Sequence, residues 1–183
     1  MCRPACRFVA CAALAAALLP LAPPPALAGR RPDVDGHVRT ADPIIREALA
    51  QGLRQSPTLR TLVDRLRETD VVVYLLPDDY AQRRLAGRLT FLSAAAGIRY
   101  LVVRLNRQAR FDELIATVAH ELQHALEIAD APEIVDSASL EREYRRLGYV
   151  NHRSPTPGVS FDSHAAVEAG RQVLREVAGA GAD

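Results

Sequence analysis

Two hydrophobic patterns divide the chain. Apolar residues spaced three and four apart mark helices, and continuous apolar runs mark buried strands. The spaced pattern is clearest at Ile115, Val118, Ala119, Leu122 and Leu126, which predicts a helix over about 112–129, with Pro132 marking its end. It recurs at Leu140, Tyr144 and Leu147, and again at Ala166, Gly170, Val173, Leu174 and Val177, predicting helices over about 137–147 and 163–177. Two earlier helices are marked by their starts. Asp42-Pro43 and Ser56-Pro57 each place a capping side chain before a proline, opening helices to about Gln55 and Glu68. The continuous pattern is Val71 to Leu76 (VVVYLL), a strand that Pro77 stops. Arg88 to Ala94 and Arg99 to Leu105 flank Ala96-Gly97 and predict a hairpin. These elements make an α+β domain, a small three-stranded antiparallel or mixed sheet packed with about five helices.

Residues 1–28 follow a different logic. Arg3 and Arg7 give a positive start, Phe8 to Ala22 an apolar stretch, and Ala26-Leu27-Ala28 a small-residue cleavage signal. That three-part order predicts a secretory signal peptide, and hence export to the periplasm or medium of a bacterium. The apolar stretch is shorter than the roughly 20 residues of a spanning helix, and Pro20 and Pro23 to Pro25 break it, so no stable membrane span is expected. Residues 29–41 read as a flexible lead-in, and residues 42–183 as one domain.

Composition matters once this segment is set aside. All three cysteines (Cys2, Cys6 and Cys11) fall within it, so the expected mature chain has no disulfide, no thiol nucleophile and no cysteine ligand. Of 183 residues, 23 are basic and 22 acidic, and loss of Arg3 and Arg7 turns that balance slightly negative. Nucleic acid is therefore not an expected partner.

The predicted helix over 112–129 carries His120-Glu121-Leu122-Gln123-His124. Histidines four apart lie one turn above each other, so both imidazoles reach one zinc ion. Glu121 projects about 100° around the axis from His120, where it can take a proton from the attacking water. The apolar stripe is centred nearly opposite the two histidines, which predicts one face packed on the sheet and the histidines on the other.

Around this motif the segment Thr117-Val118-Ala119-His120-Glu121-Leu122-Gln123-His124-Ala125-Leu126 resembles the zincin superfamily of zinc metallopeptidases, in gluzincin-like form. The hairpin before the helix is similar to the zincin arrangement, in which an edge strand pairs with an extended peptide substrate. The resemblance implies that His120 and His124 bind Zn2+ and that Glu121 is the general base.

A zinc ion held by two histidines needs a further protein ligand and an open position. Asp162, in Phe161-Asp162-Ser163-His164, projects onto the inner side of the last helix and suits that role, although the same place suits an N-cap. The gluzincin pattern implies a glutamate on a later helix, near Glu143, and the metzincin pattern points to Asp130. Asp162 is the favoured ligand, with Glu143 next. His152, Tyr144 and Tyr149 are candidates for stabilising an oxyanion. The expected function is that of an exported zinc metallopeptidase acting on a peptide or protein; the alternative is a non-catalytic zincin-like domain that binds a peptide or partner.

Overall fold

The computed structural model describes residues 34–78, 86–147, 149–150 and 161–180. The expected signal segment, with its three cysteines, lies outside the described residues, as does His152. In chain order the elements are β1 (Val34–Asp35), β2 (Val38–Arg39), α1 (Pro43–Gln55), α2 (Pro57–Arg67), β3 (Val71–Pro77), β4 (Gly87–Ala95), β5 (Ile98–Leu105), α3 (Phe111–Ala129), α4 (Ser137–Leu147), β6 (Tyr149–Val150), β7 (Phe161–Asp162) and α5 (His164–Ala180). The described residues form an α+β fold, with five helices and a mixed sheet.

Local chemistry explains the helix starts. Asp42 accepts from the Ile44 and Ile45 N–H groups, and Ser56 from that of Leu59, each with proline at the first helical position. Before α4, Asp136 accepts from the Ser139 N–H while the Ser139 hydroxyl accepts from the N–H groups of Val135 and Asp136. These reciprocal bonds satisfy donors that a helix start leaves without partners.

The main sheet has five strands in the order β1-β2-β3-β5-β4. The hairpin β4-β5 turns through Ala96 and Gly97, both at positive φ, as a tight two-residue turn requires. Strand β3 runs parallel to β5, and β4 closes that edge antiparallel. The lead-in expected over residues 29–41 departs from this picture at its C-terminal end. There β1 and β2 form a hairpin, and β2 pairs parallel with β3, the link between them being α1 and α2. Two-residue strands carry too short a pattern to be read locally. Val38 is 2% exposed in the core, and the His37 ring bonds the Val71 carbonyl at 2.8 Å.

Strand alternation puts Val71, Val73 and Leu75 of β3, and Leu101, Val103 and Leu105 of β5, on the face that packs on the helices. Arg99 shares that face, two residues before Leu101. Its side chain is 6% exposed and ends at the C-terminus of α3. There it donates to the carbonyls of Ile128, Ala129, Ala131 and Ile134 and, at 2.7 Å through two nitrogens, to both oxygens of Asp70. One guanidinium thus satisfies the end of α3 and fixes that helix to the sheet. Glu176 of α5 makes a comparable link at the start of α2, accepting from the Ser56 and Thr58 hydroxyls and the Thr58 N–H. Burial alone would raise its carboxyl, but hydrogen bonds from Ser56, Gln172 and Thr58 prevail and hold it below the usual range. No described helix is long and apolar enough to cross a membrane.

Arg99→Met keeps the stem but removes a donor from four carbonyls, of which Ile128 and Ala131 keep a backbone N–H partner, and is expected to lower unfolding stability by about 3 kcal/mol in urea titration. The side-chain hydrogen bond from Arg99 holds Asp70 below its ordinary value. The stability from this pair is therefore present above about pH 4 and lost as pH falls through the depressed folded value. Urea midpoints measured down the acid range should fall less steeply in Arg99→Met; an unchanged slope and stability would remove Arg99 from this role.

Candidate metal centre

Helix α3 lies between the sheet and α5, so it is buried on more sides than its sequence pattern predicts. His124 is 6% exposed and Glu121 5%, although neither belongs to the apolar stripe. The cause is the close approach of α5. A Cβ at Gly170 would lie 3.2 Å from the Ala116 carbonyl oxygen and 3.4 Å from the His120 Cβ, so an added side-chain carbon would crowd this contact and glycine eases the approach of the two helices.

That contact brings the start of α5 over the two histidines. Asp162 Oδ1 stands 3.5 Å from Nε2 of His120 and 3.5 Å from Nε2 of His124. The ligand atoms of these three residues all lie within 4.8 Å of one another. Four ligands about 2.0 Å from one centre in a tetrahedron are about 3.3 Å apart, close to the two His–Asp spacings. Two imidazoles and one carboxylate are the protein donor types of a catalytic zinc site. The residues fit a zinc ion.

Asp162 faces the histidines and does not cap α5. Ser163 does, its hydroxyl accepting from the Ala166 N–H at 3.0 Å. Asp162 belongs instead to the short antiparallel pair β6-β7, opposite Tyr149, and accepts the Ser163 N–H at 2.8 Å. The other two candidates lie elsewhere. Asp130 is the C-cap of α3, 71% exposed and 3.7 Å from Arg65. Glu143 is held by Arg146 through bonds of 2.6 and 3.1 Å, and that hydrogen bonding lowers its carboxyl.

Glu121 points toward the edge strand. A Cβ at Gly87 would fall 2.6 Å from its Oε1 and 2.7 Å from Thr117 Cγ2, so glycine makes room for the carboxylate beside β4. Burial raises the Glu121 carboxyl to about 7; the Asp162 charge adds to this, while His124 and a hydrogen bond from the Leu89 backbone oppose it.

The two histidines respond oppositely to their surroundings. Burial and the neighbouring His124 charge lower His120. For His124 burial acts the same way, but hydrogen bonds to Asp162 and Glu127 prevail and raise it to about 9. Carboxylates around this ring favour a positive charge at the site.

Sequence reasoning missed Glu127 and Ser163. Glu127 Oε2 lies 2.8 Å from His124 Nδ1, and its Oε1 accepts the Ser163 hydroxyl at 2.5 Å. The signal available was only the spacing of Glu127 three residues after His124. Tyr144, a candidate for oxyanion stabilisation, lies behind the ring, its hydroxyl 2.9 Å from Nδ1 and on the side opposite Nε2. Of Tyr149 only the backbone pairing is described. Comparison of the chain with protein-family models, curated proteins and solved structures finds no match.

Asp162→Ala is expected to weaken Zn2+ affinity by more than the roughly 100-fold that loss of an outer partner can cause. Glu143→Ala should leave it unchanged. Competition with a chromophoric chelator measures both, and the reverse ranking would reassign the third ligand.

Proposed function

We propose that this chain is an exported zinc-dependent metallopeptidase that hydrolyses peptide bonds of a peptide or protein. The observation that carries the reading is convergence. His120 and His124 from one helix and Asp162 from a separate short strand bring three donor atoms to one point, with the Glu121 carboxylate on the adjoining side toward the edge strand.

A zinc ion held by these three residues supplies Lewis-acid polarisation of the scissile carbonyl and acidifies water. Glu121 accepts a proton from the attacking water as its oxygen bonds to the carbonyl carbon. It then returns that proton to the leaving nitrogen as the C–N bond breaks. Burial favours the protonated form of Glu121, which suits a group that must give the proton back. Strand β4 ends the sheet, and an extended peptide laid along its outer side would pair with backbone groups close to Glu121. Export rests on the three-part pattern of residues 1–28.

One observation favours the non-catalytic alternative, a zincin-like domain that binds a peptide or partner. Glu121 is already occupied by a backbone hydrogen bond at Leu89 and is 5% exposed, as a purely structural glutamate would be. Glu121→Gln separates the two readings. The peptidase reading expects unchanged Zn2+ binding and a loss of peptide hydrolysis of about 10²- to 10⁴-fold, followed with a quenched-fluorescence peptide mixture. Equal hydrolysis by wild type and variant would sink the general-base role, and zinc binding with no hydrolysis by wild type would support the binding domain.

A further inference from the structure

Glu127 is the polar group that the catalytic reading leaves unused, and it is bound from three elements at once. Within α3, its Oε2 lies 2.8 Å from Nδ1 of His124. From α4, the Tyr144 hydroxyl donates to the same oxygen at 3.2 Å. From the start of α5, the Ser163 hydroxyl donates to Oε1 at 2.5 Å. Ser163 is the direct neighbour of Asp162 and caps the helix that follows.

We infer that Glu127 is a positioning residue for the metal centre, setting His124 and the Asp162 segment together through its two oxygens. This rests on the reading that His120, His124 and Asp162 bind a metal. A carboxylate only accepts, so in the neutral, ligating form of the ring the nitrogen facing it carries the proton and the lone pair stands on Nε2. That nitrogen is the one 3.5 Å from Asp162. The first oxygen of Glu127 therefore selects the ligating tautomer and ring orientation of His124. Its second oxygen holds Ser163, and through one peptide unit it fixes where Asp162 enters the site. The two histidines come from one rigid helix, whereas Asp162 comes from a segment joined to it only through packing and bonds such as this one. A carboxylate bound to both parts restrains the distance between them.

His120 is not served by Glu127. Its Nε2 faces Asp162 at 3.5 Å, and its Cβ packs where α5 passes at Gly170. The His124 ring, by contrast, is oriented by a side chain that substitution can remove.

The experiment uses the full chain and two probes, Zn2+ affinity by chelator competition and the visible absorption of bound Co2+. Glu127→Gln keeps the shape, has one oxygen that can still accept, and loses the charge. Glu127→Ala removes both bonds. We expect Zn2+ affinity to fall about 10-fold in the first and up to about 100-fold in the second, with an altered Co2+ spectrum in both. Thermal melting of the metal-free proteins shows that each variant is folded, and Glu127→Gln stands alone if Glu127→Ala is not. A variant that melts earlier but binds Zn2+ within twofold of wild type, with the wild-type Co2+ spectrum, would overturn the inference and leave the metal reading standing. Wild type that takes up neither ion would overturn both.

Discussion

A helix packed on nearly every side can carry histidines and a glutamate only if each of their polar atoms finds a partner. An unpartnered buried polar group is worth a large fraction of a domain's whole stability. Helix α3 meets this constraint throughout. Its C-terminal carbonyls go to Arg99 on the helix-facing side of the sheet, Glu121 to the Leu89 backbone on the edge strand, His124 to Glu127 and Asp162, and His120 to Asp162 and α5. Among the described residues no buried side-chain nitrogen or oxygen is left without a hydrogen bond. The placement of α5, the short β6-β7 pair and the polar end of α4 all follow from serving this one helix.

The same arrangement gives the site its charge. Three carboxylates (Glu121, Glu127 and Asp162) act on two imidazoles, and His124 is drawn upward to about 9 although burial pushes the other way. A divalent cation between the Nε2 atoms and Asp162 would meet the same field that stabilises a proton there. The proton and the metal compete for one place, as they do wherever neutral histidine is the ligating form.

Much of this was legible in the sequence where the determining chemistry is local. Asp42-Pro43 and Ser56-Pro57 start α1 and α2 because a cap and a proline act within three residues. The run at 71–76 reads as a strand because β-branched side chains suit a sheet buried on its faces. His120, Glu121 and His124 are legible because their spacing is the helix period itself. Pairings fixed at long range were not. Val38-Arg39 becomes a strand only because β3 is beside it, and Glu127 resembles any surface acid until α4 and α5 close over it. Asp162 lies between these cases. Helical projection puts it on the inner side of α5, yet it precedes the helix, and Ser163 takes the capping role in its place.

The central claim is that His120, His124 and Asp162 hold one zinc ion. Crystals of the protein grown with Zn2+ and measured at the zinc absorption edge test it without reference to activity. The account predicts a single strong anomalous peak about 2.0–2.1 Å from Nε2 of both histidines and from a carboxylate oxygen of Asp162. A peak bound through Glu143 or Asp130 instead, or none beside the two histidines, would contradict it.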